Sequence, residues 1–306
     1  MQLSRPFCGI IPPLLTPLKD WQTLDVAGLE NLVKRLLDGG VHGIFLLGTC
    51  GEGPSLSYTL RHEIIDRVCD IVGNQVPLLA GITDSSIQES IAMAEYAAEK
   101  GCAGVVLAAP YYHPISQDDL KQYFDRLANH VSLPVFLYNM PSHTKVWFEI
   151  NTLKEVFQNP KFVGLKDSSG DLNYFYAASQ LMKNRPDLTL LMGPEHLLVQ
   201  SMKLGGHGGI CGGAHLLPKL FVDLYNAVRG NQLEKVDLLT QRLLALGTLY
   251  DGFEEASFLR NIKCALAILG VCDGAFAEPL HPLPASRIPM VADRLNQLGI
   301  TAETLE

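Results

Sequence analysis

The sequence lacks the features that mark several large classes of protein. Lys and Arg number 24 against 32 Asp and Glu in 306 residues, and no basic block occurs. Nucleic-acid binding is therefore not expected, because phosphate contacts need clustered cations. No apolar run reaches the length of about 18 residues that crosses a membrane, and Met1–Gly9 does not resemble a signal peptide. These absences predict a cytoplasmic protein that binds neither nucleic acid nor membrane.

Paired cysteines and clustered histidines are also absent. The seven cysteines are odd in number and form no C-x-x-C pair, so neither a disulfide framework nor a zinc ribbon is expected. The nine histidines are scattered and include no H-E-x-x-H motif, so no metal site is predicted. Cys50 and Cys211 are interpreted as small buried hydrophobic residues rather than as nucleophiles.

The sequence does contain eight short apolar runs that alternate with longer amphipathic segments. Eight strands alternating with helices predict a (β/α)₈ TIM barrel over residues 1–230, followed by a helical C-terminal extension over residues 231–306. An open doubly wound sheet is the alternative, but no G-x-G-x-x-G follows the first run. The predicted strands are Gly9–Leu15, Gly43–Leu47, Pro77–Ala80, Gly104–Ala108, Pro134–Tyr138, Phe162–Leu165, Leu188–Met192 and Gly208–Cys211.

Helices are predicted between these strands and in the extension. Asp25 and Ser85 are expected N-caps, and Gly39 and Gly101 are expected to end helices. The predicted helices include Asp25–Leu37, Ser85–Lys100, Gln117–Asn129, Leu233–Leu249, Glu255–Leu269 and Arg287–Leu298.

Lys166 is the most unusual residue at a strand end, which is where barrel active sites lie. Alternation along the sixth strand predicts that Gly164 and Lys166 face the barrel lumen, whereas Val163 and Leu165 face the helices. A lysine in an apolar lumen loses hydration of its ammonium form, which favours the neutral amine that attacks a ketone. The alternative is an ordinary lysine that reaches solvent or pairs with a neighbouring acid such as Asp167.

Two further strand ends carry candidate site residues. Tyr138 ends the fifth strand on the same face as Phe136, which is the face predicted to line the lumen. A phenol near the amine can act as a general acid/base. A core tyrosine with a satisfied hydroxyl is the alternative. The turn Gly48-Thr49-Cys50-Gly51-Glu52 after the second strand can hold a carboxylate on successive backbone N–H groups. It is otherwise a simple βα turn with a polar helix start.

Taken together, these motifs resemble the dihydrodipicolinate synthase/N-acetylneuraminate lyase family from about Gly9 to Leu283. The family pattern G-[ST]-x-G-E is similar to the Gly48–Glu52 turn, Y-N-x-P to Tyr138–Pro141, and G-x-K-D-[ST] to Gly164–Ser168. The tail also resembles the family, in Asn261-Ile262-Lys263-Cys264-Ala265-Leu266 and Pro279-Leu280-His281-Pro282-Leu283.

The resemblance implies class I aldolase chemistry with no metal or organic cofactor. Lys166 would form an imine with pyruvate or another 2-oxo acid, Tyr138 would carry protons, and Thr49 would orient the Tyr138 hydroxyl. Thr49 and the backbone N–H of Cys50 would bind the substrate carboxylate. The resemblance further implies that Ile210 and Gly193 line the pocket and that Tyr112 takes part in catalysis across a dimer interface. It also implies that the chain forms a homotetramer built as a dimer of dimers.

Two positions depart from the pattern of dihydrodipicolinate synthases. His143 stands where those enzymes have an arginine that grips a distal carboxylate, and imidazole lacks the bidentate fork of arginine. Cys50 replaces a hydroxyl residue of the turn. Glu195 matches a position where sugar-acid lyases place an acid against substrate hydroxyls, although an acid favoured by the dipole of a helix N-terminus is nearly as good an interpretation.

The first hypothesis is therefore retro-aldol cleavage of a 2-keto-3-deoxy sugar acid, or of a related 4-hydroxy-2-oxo acid, to pyruvate and an aldehyde. A second hypothesis keeps the same imine in a condensing synthase or a dehydratase. A third is a barrel that binds 2-oxo acids without turnover, for which Cys50 is the only local argument.

Overall fold

The computed structural model describes residues 3–250 and 257–302. Eight parallel strands form one sheet in the order β1-β8-β7-β6-β5-β4-β3-β2. The strands are β1 (Gly9–Ile10), β2 (Ile44–Leu46), β3 (Leu78–Gly81), β4 (Gly104–Ala108), β5 (Val135–Asn139), β6 (Phe162–Asp167), β7 (Thr189–Met192) and β8 (Gly208–Gly209).

The two ends of this sheet approach each other just after β1. The Phe45 N–H in β2 donates to the Pro12 carbonyl at 2.9 Å, and the Leu14 N–H donates to the Phe45 carbonyl at 2.7 Å. Pro13 and Phe45 form a parallel bridge. Strand order and helix alternation are thus consistent with the expected (β/α)₈ barrel. β1 is shorter than predicted because Pro12 and Pro13 have no N–H to donate.

The described residues contain twelve α-helices, most of which lie between successive strands. Their bounds are α1 (Val26–Asp38), α2 (Tyr58–Val72), α3 (Ile87–Glu99), α4 (Gln117–Ala128), α5 (Pro141–Thr144), α6 (Ile150–Val156), α7 (Leu172–Met182), α8 (Leu198–Lys203), α9 (Pro218–Arg229), α10 (Leu233–Gly247), α11 (Ser257–Ile268) and α12 (Ile288–Gln297). Glu255, where the sequence predicted the start of α11, lies outside the described residues. Within the described ranges, no helix is both long and apolar enough to cross a bilayer.

Side-chain caps explain where several helices begin. Asp25 caps α1 as predicted, because its carboxylate accepts from the Gly28 N–H at 3.1 Å. The predicted cap Ser85 is wrong: Ser86 takes that position, with an extended backbone and a hydroxyl that accepts from the Glu89 N–H. Gly39 and Gly101 end helices as predicted, and Gly101 has a φ of +90° that favours glycine.

The barrel interior is filled by one cluster of buried side chains. It comprises Phe7, Ile11, Phe45, Leu79, Val106, Ala108, Phe136, Tyr138, Val163, Leu191 and Ile210. Phe136 and Tyr138 share this face, as the phase of β5 predicted. Val163 also lies in the interior cluster, so its predicted orientation towards the helices is wrong, whereas Leu165 packs with the outer core.

A β-bulge explains the position of Val163. Val135 pairs with Phe162, but the next residue of β5, Phe136, pairs with Gly164, so β6 holds one extra residue. An extra residue reverses the alternation of side chains on one side of the bulge. Beyond it, Tyr138 pairs with Lys166 in regular register.

The C-terminal extension packs against the first βα unit at several points. Leu18 and Ala275 form an antiparallel bridge, and the Asp273 N–H donates to the Asp25 carboxylate at 2.9 Å. Asp25 therefore caps α1 and also anchors the extension.

Gly164 is expected to be essential for packing inside the barrel. A Cβ at this position would lie 2.6 Å from the Thr189 carbonyl oxygen and 2.8 Å from the Phe136 ring. Gly164→Ala should lower the free energy of unfolding by about 1–3 kcal/mol, as overpacked cores do. Gly247→Ala is the control, because nothing lies within 4 Å of the added methyl group and alanine favours a helix. Urea unfolding measures both, and equal stabilities for the two variants would contradict this packing.

Candidate active site

Lys166 and Tyr138 meet inside the barrel because their strands pair in register. Lys166 is 4% exposed, and its Nζ lies 3.8 Å from the ring centroid of Tyr138 and 5.1 Å from that of Phe45. The amine therefore rests on aromatic surface in the lumen. A ketone that enters this space would meet the amine and the phenol together.

Thr49 belongs to the same group of residues. Its hydroxyl lies 3.4 Å from the Tyr138 hydroxyl, which is within reach of a hydrogen bond. Among the described residues, the backbone N–H groups of Thr49 and Cys50 donate to no protein acceptor. The turn therefore presents unused donors beside the phenol, and a carboxylate is a suitable acceptor for them.

The end of this turn is held by a buried ion pair. Lys263 Nζ in α11 lies 2.5 Å from Glu52 Oε1, and both side chains are at most 1% exposed. Lys263 also donates to the Ala275 carbonyl at 2.6 Å, and the Ala277 N–H donates to Glu52 Oε2 at 2.8 Å. Burial raises the pKa of Glu52 and lowers that of Lys263, while their mutual attraction opposes both shifts.

Glu52 adopts a backbone conformation that needs this support. Its φ is +54°, in the left-handed region that non-glycine residues seldom occupy. The Thr16 hydroxyl donates to the Gly51 carbonyl at 2.7 Å and holds the preceding residue. The C-terminal extension thus fixes the turn that carries Thr49 and Cys50.

Asp167 does not pair with Lys166. Its carboxylate accepts from Asn139 Nδ2 at 2.8 Å, from the Ser169 N–H at 3.1 Å and from the Ser169 hydroxyl at 2.9 Å. Burial raises the pKa of Asp167, and these donors oppose the shift. The Asn139–Asp167 hydrogen bond joins the two strands directly beside Tyr138 and Lys166.

Cys50 and Cys211, whose thiols both respond to the charge of Lys166, carry protonated thiols. Burial raises the pKa of Cys50 to about 11 against the opposing effect of Lys166, with smaller contributions from Glu195 and Glu52. Burial also raises the pKa of Cys211 well above its usual range. A thiol that keeps its proton is a poor nucleophile, which agrees with their interpretation as small apolar residues.

His143 lies on α5, the short helix after β5. Its Nδ1 lies 3.0 Å from the Ser142 hydroxyl. Partial desolvation lowers the pKa of His143, and the positive charges of Lys145 and Lys166 lower it further. The imidazole is therefore neutral at neutral pH and supplies no fixed positive charge.

Glu195 follows β7 and is buried with a partly unused carboxyl group. Its Oε2 accepts from the Gly213 N–H at 2.8 Å, while its Oε1 is buried without a hydrogen-bond partner. Burial raises the pKa of Glu195 to about 7, although the Gly213 N–H and the nearby Tyr250 hydroxyl lower it.

The remaining predicted site residues fall into two groups. Ile210 is 3% exposed in the interior cluster, and the Gly193 N–H donates to the Asp167 carbonyl at 2.8 Å, so both lie next to the lysine strand. Tyr112 lies on the loop after β4, is 76% exposed and contacts the ring of His113. Its role in a second subunit stays a prediction.

Neither Tyr250 nor the role of Lys263 was found from the sequence. Lys263 stands in a tail motif, but its partner Glu52 is 211 residues away, and no pattern links the two. Tyr250 follows α10 in a 3₁₀ turn, Thr248–Tyr250, with no motif around it. Among the described residues, no group of three or more His, Cys, Asp or Glu side chains is arranged to hold a metal ion.

Comparison with known proteins gives one consistent family. Residues 6–298 match the model of the dihydrodipicolinate synthetase family. A solved dihydrodipicolinate synthase from Bacteroides thetaiotaomicron is 42% identical, with a TM-score of 0.93 over 96% of this chain and all of that one. The Escherichia coli protein YagE, solved in complex with pyruvate, is 30% identical, with a TM-score of 0.91 over 96% and 99% of the two chains.

Curated relatives carry two kinds of name. A 4-hydroxy-tetrahydrodipicolinate synthase from Methanococcus maripaludis is 30% identical over 95% of this chain and 99% of its own. An uncharacterized DapA-like lyase from Halobacterium salinarum is 31% identical over 95% and 94% of the two chains.

Removing Lys263 should strongly destabilise the protein. Lys263→Met leaves the Glu52 carboxylate buried without its cation, so the free energy of unfolding should fall by about 3–5 kcal/mol. Arg67→Met is the control, since its pair with Glu63 is about 40% exposed on both sides; this change should cost less than about 1 kcal/mol. Urea unfolding compares the two, and equal losses would contradict the anchoring role of the buried pair.

The raised pKa of Glu195 predicts a pH-dependent difference in stability. Because the pKa of Glu195 is raised to about 7, the folded protein keeps this proton up to about pH 7, whereas the unfolded chain releases it near the ordinary glutamate pKa of 4.5. The contribution of this group to stability therefore falls as the pH rises between these values. Glu195→Gln has no proton to lose and should gain on the wild type from pH 5 to pH 8, by up to about 3 kcal/mol. Parallel stability curves from urea unfolding would refute this prediction.

Proposed function

The chain belongs to the dihydrodipicolinate synthetase family and is a lyase-class enzyme, and we propose that it cleaves a 2-keto-3-deoxy sugar acid, or a related 4-hydroxy-2-oxo acid, to pyruvate and an aldehyde. The family as a whole carries out pyruvate-dependent class I aldolase and synthase chemistry. The single observation that carries the proposal is the buried Lys166 amine against Tyr138, with Thr49 at the phenol.

The proposed reaction begins with attack of the Lys166 amine on the ketone carbon of the substrate. The resulting carbinolamine loses water to give a protonated imine, and proton transfer in this step is assigned to Tyr138. A base then takes the proton of the C4 hydroxyl, and the C3–C4 bond breaks. Its electron pair flows to the imine nitrogen and leaves an enamine, while the C4 fragment departs as an aldehyde. Protonation of C3 and hydrolysis of the imine release pyruvate and restore the amine.

The residues around the lysine support this sequence of steps. Thr49 lies where it can orient the Tyr138 hydroxyl, and the free N–H groups of Thr49 and Cys50 offer the carboxylate of the 2-oxo acid two donors. Cys50 contributes a neutral thiol, so it adds no negative charge that would repel the carboxylate. The protonated imine is itself the electron sink, so the proposed route needs neither metal nor organic cofactor.

Two residues favour a hydroxylated substrate over one with a distal carboxylate. His143 is neutral at neutral pH, because its pKa is lowered. It therefore lacks the charge that a second carboxylate requires. Glu195 offers a buried carboxyl oxygen with no partner, which suits a hydroxyl and disfavours an anion.

Condensation of pyruvate with an aldehyde is the second candidate. It is favoured by the name of the Bacteroides thetaiotaomicron protein, a dihydrodipicolinate synthase that is 42% identical to this chain. Both reactions share the imine and differ in the second substrate. Parallel assays with aspartate semialdehyde and with keto-deoxy sugar acids separate them, and efficient condensation with the semialdehyde would favour the second candidate.

A homotetramer built as a dimer of dimers is also proposed. Tyr112 is largely exposed in the single chain, although the resemblance assigns it to catalysis. A second subunit packed against the loop after β4 would place Tyr112 at the active site of that subunit.

Trapping with borohydride tests the imine directly. Incubation of the wild type with pyruvate and borohydride should attach a reduced pyruvyl group to Lys166, as read by peptide mass spectrometry. Lys263 is an internal control, because it is equally buried but already paired with Glu52. The mechanism fails if the wild type gives no adduct at Lys166.

Tyr138→Phe should slow turnover by about 10²–10⁴-fold, which is the usual contribution of a general acid/base.

A further inference from the structure

Two thiols meet at the end of the barrel opposite the candidate active site. Cys69 lies in the last turn of α2, before β3, and Cys102 lies between α3 and β4. All seven cysteines belong to the described ranges and are free thiols, and the side chains of Cys69 and Cys102 hydrogen-bond to each other. Both precede the strands that follow them, whereas Lys166 lies near the C-terminal end of β6.

Contacts between neighbouring residues hold α2 against the end of α3. Asp66, one turn before Cys69 in α2, accepts from the Tyr96 hydroxyl at 2.7 Å and lies 2.8 Å from Lys100 Nζ. Lys100 is the C-cap of α3 and stands two residues before Cys102. The two thiols are therefore brought together by an ion pair and a hydrogen bond that lie beside them.

The two thiols differ in their access to solvent. Cys102 is 4% exposed, and its N–H donates to the Ala97 carbonyl at 2.9 Å. The next N–H, that of Ala103, donates to the Leu78 carbonyl at 2.8 Å, so the backbone at Cys102 is fixed. Cys69 is only half-buried. A small oxidant in solution therefore reaches Cys69 first and leaves Cys102 behind it.

The hydrogen bond also sets which sulfur is the better nucleophile. It is the largest influence on Cys69 and lowers the pKa of that thiol, while burial and the charges of Asp66 and Asp70 oppose the shift. The same bond raises the pKa of Cys102, and burial raises it further. Cys102 is thus the donor and Cys69 the acceptor. Cys264, another half-buried thiol on a helix, has its pKa raised by burial.

We propose that Cys69 and Cys102 form a site of reversible oxidation, at which hydrogen peroxide converts the two thiols into one disulfide bond. In the first step the Cys69 sulfur attacks one peroxide oxygen, and the O–O bond breaks. Cys69 becomes a sulfenic acid, and the departing hydroxide takes up the proton that Cys69 has lost. The Cys102 sulfur then attacks the Cys69 sulfur, the S–O bond breaks, and the Cys102 proton leaves with the hydroxyl as water. Two thiols are oxidised, and one peroxide is reduced to two molecules of water.

The disulfide would join α2 to the start of β4. It closes a loop over residues 69–102 and so restricts the unfolded chain, which stabilises the folded one. It lies at the N-terminal ends of the strands, where the residues of a barrel serve stability rather than catalysis. Oxidation therefore stabilises the fold and leaves the chemistry at Lys166 unchanged, so this inference does not depend on the proposed function.

Peptide mass spectrometry of the full-length protein tests for the bond. After treatment with hydrogen peroxide, remaining thiols are blocked with N-ethylmaleimide and the unfolded protein is digested with trypsin. Trypsin cleaves between the two cysteines, after Lys100, and places them in the separate peptides 68–100 and 101–121. The wild type should give these peptides joined, and dithiothreitol should separate them. If no joined peptide forms, with Cys69 either unmodified or oxidised to a sulfinic acid, the proposal is wrong.

Cys102→Ala separates the two roles of the buried thiol. Without the resolving sulfur, peroxide should leave Cys69 as a sulfenic acid that dimedone labels. Without the hydrogen bond, iodoacetamide should alkylate Cys69 about tenfold more slowly at pH 7 than in the wild type, because the thiolate is the reacting form. Cys264→Ala is the matched control and should keep the wild-type alkylation rate of Cys69. An unchanged rate in Cys102→Ala would contradict the pairing of the thiols.

Thermal unfolding measures the effect of the bond. The oxidised wild type should have a Tm about 5–10 °C above that of the reduced protein. The difference should vanish in Cys69→Ala and persist in Cys264→Ala, and an equal or lower Tm after oxidation would refute the stabilising role. The borohydride adduct at Lys166 should form equally in both states. Its loss on oxidation alone would contradict the separation of the thiol pair from the site, whereas its absence from both states would count against the imine chemistry only.

Discussion

The site depends first on the hydrogen bond between Asn139 and Asp167. These two fully buried side chains join the ends of β5 and β6 at 2.8 Å, one residue beyond Tyr138 and Lys166. Asn139 Oδ1 also accepts from the Phe148 N–H at 3.1 Å, which ties the segment between α5 and α6 to the same point. Because side chains alternate along a strand, a shift of one residue between β5 and β6 would turn the phenol and the amine to opposite faces. The acid next to the lysine thus sets strand register and leaves the amine unpaired.

The bulge in β6 also affects the register between β5 and β6. It admits Val163 to the interior and restores the usual pairing from Gly164 onward. The part of β6 that carries Lys166 therefore keeps regular pairing with β5, whatever the orientation of the residues before the bulge. Gly164 permits this arrangement, because the Phe136 ring and the Thr189 carbonyl occupy the space that a larger residue would need.

Much of the architecture could be predicted from local pattern, and the exceptions have physical causes. Apolar runs located all eight strands, since each is buried and flanked by turn residues, but alternation failed at Val163 because a bulge leaves no mark in a short apolar run. The cap at Asp25 was predicted correctly. Ser85 was predicted in place of the actual cap Ser86, because two adjacent serines have the same capping preference. Lys166 and Tyr138 come together as expected from their strand-end positions, and Thr49 lies at the Tyr138 hydroxyl as the family resemblance implies. Tyr250 could not be predicted, because no motif surrounds it and its nearness to Glu195 is visible only in three dimensions.

The ion pair between Glu52 and Lys263 has a consequence for how the protein is made. Translation proceeds from the N-terminus, so the barrel residues leave the ribosome well before the chain reaches position 263. Until then, Glu52 has neither the ammonium group nor the Ala277 N–H that hold it in its left-handed conformation. A nascent chain can therefore assemble the strands that carry its lysine while the turn beside them is still unanchored. The turn that carries Thr49 and Cys50 therefore reaches its final conformation only after residues 263–277 have been synthesised and have folded onto the barrel.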